Sequence, residues 1–310
     1  MTYSIQQLKI WLAAARLRTL PLSISGILVG NAICIQEVRF SWGLFFLMFA
    51  TAVAFQIISN FANDYGDGVK GTDNAARVGP KRVLQQGLLT PKQLKKGIVL
   101  LSVLALFLSI SLTLLAFGIA RWGYVVLFLM LAALAVWAAI KYTVGENAYG
   151  YRGWGDFFVL LFFGGVSVLG AAFVQLKIIS TSGILLSFTI GLLSVGVLNL
   201  NNMRDHKNDK AVGKNTMAVL LGEKKAKFYH YFLLIIAMGC LVVTFLNTPI
   251  FSLFTLPILG VIPILGHLYR VGRTKNPEDL DPELKKLALS TFFIAVLIFI
   301  TFLLPHESLL

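Results

Sequence analysis

Residues 42–73 read WGLFFLMFATAVAFQIISNFANDYGDGVKGTD, an apolar run over 42–62 that ends abruptly in Asn63-Asp64-Tyr65-Gly66-Asp67 and then Gly71-Thr72-Asp73. The run is long enough to cross a bilayer as helix, which takes about 20 residues. Carboxylates cannot follow it into hydrocarbon, so the acidic cluster belongs at a membrane surface. The pattern returns later in the chain. An apolar run over 181–201 ends in Asn202-Met203-Arg204-Asp205 and runs on to Asp209, so these two stretches hold five of the fourteen carboxylates.

Composition makes the membrane reading general. The 310 residues are 57% hydrophobic and 13% charged, with a mean hydropathy of +0.79, too apolar for a soluble chain of this length. Nine apolar runs are expected to span, near 20–36, 42–62, 97–117, 122–140, 157–176, 181–201, 228–246, 250–269 and 287–304. Only helices or closed barrels satisfy backbone hydrogen bonding in lipid, and runs of this length are helical. The fold class expected is therefore an all-α integral membrane protein, one transmembrane domain over 1–310 with two similar halves, roughly 1–140 and 141–310.

Basic residues give the orientation, because cytoplasmic loops retain Lys and Arg. The N-terminus and alternate loops carry 24 of the 27, leaving Arg39, Arg121 and Lys177 for the opposite face. This places the N-terminus and both acidic clusters in the cytoplasm and the C-terminus, Pro305-His306-Glu307, outside. The net charge of +13 is then mainly topology; it attracts anionic lipid and an anionic substrate and does not indicate nucleic acid. The start MTYSIQQLKIWLAAARLRTL lacks the apolar core and small-residue cleavage site of a removable signal. Cys34 and Cys240 lie far apart in apolar runs and are expected as free thiols. His206, His230, His267 and His306 show no ligand spacing.

The acids themselves carry the chemistry. Asn60, Asp64 and Asp67 are four and three residues apart and Asp205 and Asp209 four apart, so each set shares one helix face. Like charges so placed repel, and a divalent cation with hard oxygen ligands compensates them while keeping water and substrate phosphates in its shell. Candidate metal ligands are Asn63, Asp64, Asp67, Asp73, Asn202, Asp205 and Asp209; a solvated, helix-capping acidic loop is the plainer alternative. Gly66, Gly68 and Gly71 permit close backbone approach. Asp64-Asp67-Gly71-Asp73 and Asp205-Asp209-Gly213-Asn215 form a short internal echo, each followed by basic residues (Arg77, Lys81, Arg82; Lys214, Lys224, Lys225, Lys227).

Taken together, Arg16-Leu17-Arg18-Thr19-Leu20-Pro21, Asn63-Asp64-Tyr65-x-Asp67-x3-Gly71-Thr72-Asp73, Tyr142-Thr143 with Gly150-Tyr151-Arg152-Gly153, and Asn201-Asn202-x-Arg204-Asp205-x3-Asp209-x3-Gly213-Lys214-x-Thr216 resemble the UbiA superfamily of intramembrane aromatic prenyltransferases. The likeness covers nearly the whole chain. Many members carry a third aspartate four residues after the second; here that place is Gly71, and the acid is delayed to Asp73. The resemblance implies nine helices around a central cavity, and within the superfamily it is greatest to the branch that transfers a polyprenyl group from its diphosphate to 1,4-dihydroxy-2-naphthoate in menaquinone biosynthesis, releasing diphosphate and CO2. It implies that Asp64, Asp67, Asp205 and Asp209 act through Mg2+, two ions in all, with Lys81, Arg82, Arg204 and Lys214 on the diphosphate. Tyr142 and Tyr65 would offer aromatic faces to an allylic cation, and Arg18 and Arg152 would meet the acceptor carboxylate.

The site would open to lipid, because a prenyl tail costs about 0.8 kcal/mol per CH2 to bring into water. Gly164, Gly165, Gly170, Ala171, Gly191 and Gly196 would leave it room, or simply pack helices closely. Three other readings stand beside this one: a related enzyme using 4-hydroxybenzoate, homogentisate or haem, a CDP-alcohol phosphotransferase, and a transporter. The phosphotransferase needs its acids in one contiguous motif, and a transporter needs ionisable groups deep in its spans.

Overall fold

A computed structural model describes residues 2–37, 39–75, 77–246 and 253–304. The described residues are mainly helical, without a strand, and nine helices are long and apolar enough to cross a membrane: Ile5–Ala32, Trp42–Val69, Pro91–Phe117, Ile119–Lys141, Gly155–Leu176, Thr181–Arg204, Glu223–Phe245, Thr255–Arg273 and Pro277–Leu303. Pro305, His306 and Glu307, on which the outside placement of the C-terminus rests, lie outside the described residues, as do positions 250–252 at the start of the eighth expected span.

Hydropathy found each span and misjudged several ends. Helix starts at Thr2 (α1, Thr2–Ala15), breaks where Arg16 takes a left-handed φ of 50°, and resumes as α2 (Leu20–Ala32). The expected first span, 20–36, therefore stops four residues early, at a turn over Ile33–Gln36. In the other direction, α3 (Trp42–Val69) and α8 (Thr181–Arg204) run past their apolar stretches, so that Asp64 and Asp67 are helical and the second motif is helical as far as Arg204. Hydropathy reports only what lies in hydrocarbon, while backbone hydrogen bonding continues into the interface.

Local chemistry sets the starts. Ser41 caps α3 through the Leu44 amide, at 3.3 Å. Thr90 and Gln93 form a capping box at the head of α4 (Pro91–Phe117), whose first residue is proline, a residue already shaped for that position.

The α8 helix is the hub. Its apolar window is 72% buried, against 17% for the span Ile119–Lys141, so α8 is wrapped by protein while α5 (Trp122–Lys141) shows lipid most of its surface. Close approach makes this possible: a Cβ on Gly164 would fall 2.5 Å from the Ser187 carbonyl oxygen and 3.1 Å from the Gly191 Cα. In the same fifth span α6 (Gly155–Val159) and α7 (Ala171–Leu176) flank an eleven-residue π-helical stretch, Leu160–Gly170; such wide turns often line functional sites.

On the far side of α8, His230 of α11 (Glu223–Phe245) places its Nε2 2.9 Å from that of His267 in α12 (Val261–Arg273). His267 Nδ1 in turn lies 2.7 Å from Glu283 of α13 (Asp281–Leu303). The chain distances between these residues hid the contact from the sequence. Cys34 and Cys240 are free.

Candidate functional site

The two acidic clusters meet. Asp64 and Asp67 lie on the last turns of α3; Asp205 caps α8, and Asp209 lies in the short helix α9 (His206–Ala211). Lys214 Nζ lies 3.6 Å from Asp67 Oδ2, Asn208 Nδ2 donates to the Thr72 carbonyl at 3.2 Å, and the Asn215 amide donates to the Tyr151 carbonyl at 3.1 Å. Each cluster ends in the same turn. The Thr72 amide donates to the Asp67 carbonyl at 2.9 Å and the Lys214 amide to the Asp209 carbonyl at 2.8 Å, around Gly71 and Gly213, both at φ 72°. In this register Asp67 matches Asp209, while Asp205 matches Asn63 and not Asp64.

The carboxylates are buried and densely paired. Arg16, freed by the left-handed break before α2, donates to Asp64. Arg82 Nη1 donates to Asp67 Oδ2 at 3.0 Å and to the Asn63 carbonyl at 2.8 Å, and its Nε lies 3.2 Å from Asp73. Tyr151 Oη donates to Asp67 Oδ1 at 2.8 Å and sits 2.5 Å from Thr72 Oγ1. Asp73 is shared between Arg77 Nε, at 3.0 Å, and Arg82. Arg204 grips Asp205 with two nitrogens, at 2.9 and 2.7 Å, and donates to Asp281 at the head of α13. Among the described residues Asp209 alone of these acids takes no side-chain hydrogen bond or ion pair. Burial, then the charges of Asp205 and Asp67, push its carboxyl up to about 7 against the pull of Lys214.

Below this charged mouth opens a cavity of about 1150 Å³. Arg16, Asp64, Asp67, Arg82, Arg204 and Lys214 line its head, and Ile27, Met48, Leu112, Phe128, Phe162 and Val174 its body. Tyr142 lines the wall between, its ring against Gly150 and Gly155 and 5.5 Å edge-on from Tyr149. Burial drives the Tyr142 phenol far above its ordinary value, so it stays protonated.

Not every residue singled out by sequence faces this space. Arg18 and Lys81 do, and both are exposed. Arg152 does not: it bonds Asn147 and borders a separate, smaller pocket. Tyr65 packs with the cluster built on Ala14, Ile58 and Leu94, because one residue along a helix from Asp64 turns it by about 100°. Asn202 is buried away from the cavity, while Asn201, one position earlier and on the Ser194–Arg204 stripe, lines it. Gly170 and Ala171 line the cavity, whereas Gly164, Gly191 and Gly196 serve helix packing. Arg16, Arg77 and Tyr151 hold site acids directly, yet locally their sequence shows only a basic or aromatic residue.

The donor set fits a hard divalent cation supplied with water and substrate oxygen. Among the described residues no three carboxylates or histidines form a ready cage. Mg2+ seldom needs one, since one or two carboxylates plus phosphate oxygens complete its shell. Both oxygens of Asp73 are buried without a hydrogen bond and are held by ion pairs to Arg77 and Arg82 alone, and Asp209 is buried with no side-chain hydrogen bond or ion pair among the described residues, so Asp209 keeps oxygens free to take a cation.

The family model for the UbiA prenyltransferase family matches residues 23–297. The chain belongs to that family. The UbiA-family chain is 39% identical over 296 residues to a 1,4-dihydroxy-2-naphthoate octaprenyltransferase of Haemophilus influenzae, covering 94% of this chain and 95% of that one. It is 39% identical to the protein of the same description from Escherichia coli, over 91% of each. Its fold matches a UbiA homologue from Archaeoglobus fulgidus solved with DMAPP and Mg2+, with a TM-score of 0.63 at 14% identity over 94% of this chain and 98% of that one. A UbiA homologue from Aeropyrum pernix matches with a TM-score of 0.64 at 16% identity, over 91% and 99%. This UbiA-family prenyltransferase is an integral membrane protein.

Proposed function

We propose that the protein transfers a polyprenyl group from its diphosphate to 1,4-dihydroxy-2-naphthoate, in the cytoplasmic membrane with both acidic clusters facing the cytoplasm, and depends on Mg2+, two ions in all. One observation carries the reading. A single cavity has an apolar body and a head where Asp64 and Asp67 of the first cluster meet Asn201, Arg204 and Lys214 of the second beside Arg16 and Arg82, with Asp205 held behind Arg204. A tail needs the body and a diphosphate the head. Identity to naphthoate prenyltransferases over nearly the full length supports this acceptor. Against the transporter, the acids gather at one mouth and none stands at mid-span in the cavity.

Asp64, Asp67, Asp205 and Asp209 would hold Mg2+, which when bound supplies positive charge to the departing diphosphate. Arg82 and Lys214, already beside Asp67, neutralise what remains. Arg204 is occupied by Asp205 and Asp281; an arriving diphosphate competes for it and releases Asp205. The allylic C–O bond breaks, the ring carbon bearing the carboxylate takes the prenyl carbon, and CO2 leaves with its electron pair returned to the ring. No proton moves in this exchange, so no base is required. The neutral Tyr142 ring, in the wall between head and body, offers its face to the cation, a contact worth about 0.5–2 kcal/mol.

The test is purified protein in lipid with a polyprenyl diphosphate and, in parallel, 1,4-dihydroxy-2-naphthoate, 4-hydroxybenzoate and homogentisate. Diphosphate and CO2 should appear with the naphthoate alone and stop on adding EDTA. Turnover of another acceptor at equal rate, or turnover in EDTA, would refute the reading.

A further inference from the structure

The fifth span carries an acid that the reaction leaves idle. Asp156, in its first turn, is 7% exposed, and its Oδ2 is buried without a hydrogen-bond partner. Tyr229 of α11 lines the same pocket as this carboxyl. The two sides of this helix serve different spaces: Phe158, Val159 and Phe162 line the main cavity, whereas Asp156, Phe157 and Leu160 line a second pocket of about 420 Å³. Leu192 and Val195 of α8 and Leu220 of α10 (Met217–Leu221) wall it.

An acid at the edge of hydrocarbon with an empty oxygen is costly unless something visits it. The pocket has a second charge of opposite sign. Arg152 stands at its rim, exposed, and its side chain bonds only the neutral Asn147 among the described residues. Trp154, Phe157 and Leu220 are 58%, 53% and 60% exposed around it, an aromatic and apolar border of the kind that sits at a lipid interface. Acid inside, cation at the rim and lipid beside them are the inverse of a zwitterionic head group.

We infer that this pocket binds the head group of an aminophospholipid, its primary ammonium on Asp156 and its phosphate against Arg152. A primary ammonium brings three donors to an acceptor-only carboxylate, and a quaternary choline brings none. The site therefore selects ethanolamine over choline heads. Its volume holds a head group, and the acyl chains lie outside along Phe157. This reading is independent of the proposed reaction.

Native mass spectrometry of the full-length protein in detergent, titrated with phosphatidylethanolamine, phosphatidylcholine and phosphatidylglycerol of identical chains, tests it. Phosphatidylethanolamine should be retained about 10-fold more tightly than phosphatidylcholine, a difference of about 1.4 kcal/mol. Asp156→Asn should abolish that preference. Leu220→Trp, which fills the pocket from its exposed wall, should lower lipid occupancy and leave Mg2+-dependent prenyl transfer in lipid-free micelles unchanged. Equal retention of the three lipids, preference for phosphatidylglycerol, or an undiminished preference in both variants would overturn the assignment.

Discussion

Lys214 Nζ lies 3.6 Å from Asp67 Oδ2, so a lysine from the second cluster completes the charge of the first. Removing it leaves Asp67 with Arg82 and Tyr151, enough to keep the fold. Lys214→Met should therefore unfold at nearly the wild-type temperature and lose about 100-fold or more in turnover, the scale of one lost charge-stabilising donor. Lys214→Arg should recover part of it. Wild-type rates in Lys214→Met would remove the lysine from the diphosphate site.

Asp209 contributes a pH dependence of definite sign. Its carboxyl is raised from 3.8 to about 7 by burial and by Asp205 and Asp67. The folded protein thus keeps a proton that the unfolded chain releases above the lower value. Stability of the metal-free protein should fall as pH rises across that window, with the penalty complete above about 7. Mg2+ needs the ionised form, so the stabilisation it gives should grow over the same range. Apparent Tm of the protein relative to Asp209→Asn, measured from pH 5 to 8 with and without Mg2+, should show both trends, because the variant cancels the contribution of every other titrating group. A Mg2+ effect that is constant with pH would contradict the assignment.

Much of this was legible beforehand, and the failures have physical causes. Apolar runs announced nine spans because nothing else explains them in such a chain. The α1 helix was missed because Gln6, Gln7 and Lys9 dilute its hydropathy; it is docked through Trp11 on Phe61, rings 5.3 Å apart. Spacing placed Asp64 and Asp67 on one face, and the structure has them there, lining the cavity. Spacing does not reveal long-range partners. Arg204 reads as a free cation for substrate, yet Asp281, distant in the chain, shares it with Asp205. Arg16 enters the sequence reading only as part of the Arg16–Pro21 motif, whereas the break at its own φ of 50° turns it onto Asp64.

The paired turns offer a test in which two sites should answer alike. Gly71 and Gly213 both take φ 72°, and a Cβ at either would meet no atom within 4 Å. Alanine at each therefore costs backbone strain alone, about 1–2 kcal/mol. Gly71→Ala and Gly213→Ala should lower Tm by similar amounts and slow turnover by loosening Asp67 and Asp209 respectively. A large loss at one position with none at the other would show that the turns do different jobs.

Chain length of the donor should be set along the apolar body of the cavity. Gly170 lies on its wall at the end of the π-helical stretch, where an added Cβ would stand 3.7 Å from the Phe128 ring. The position is at an ordinary helical backbone conformation, φ −62°, so a larger side chain strains nothing but the space itself. Gly170→Leu should block the far end of the body while leaving the charged mouth intact. Turnover with a long polyprenyl diphosphate should drop by at least about 10-fold, the cost of roughly two displaced methylenes, while dimethylallyl diphosphate should react at close to the wild-type rate. Equal losses with both donors would place the tail elsewhere.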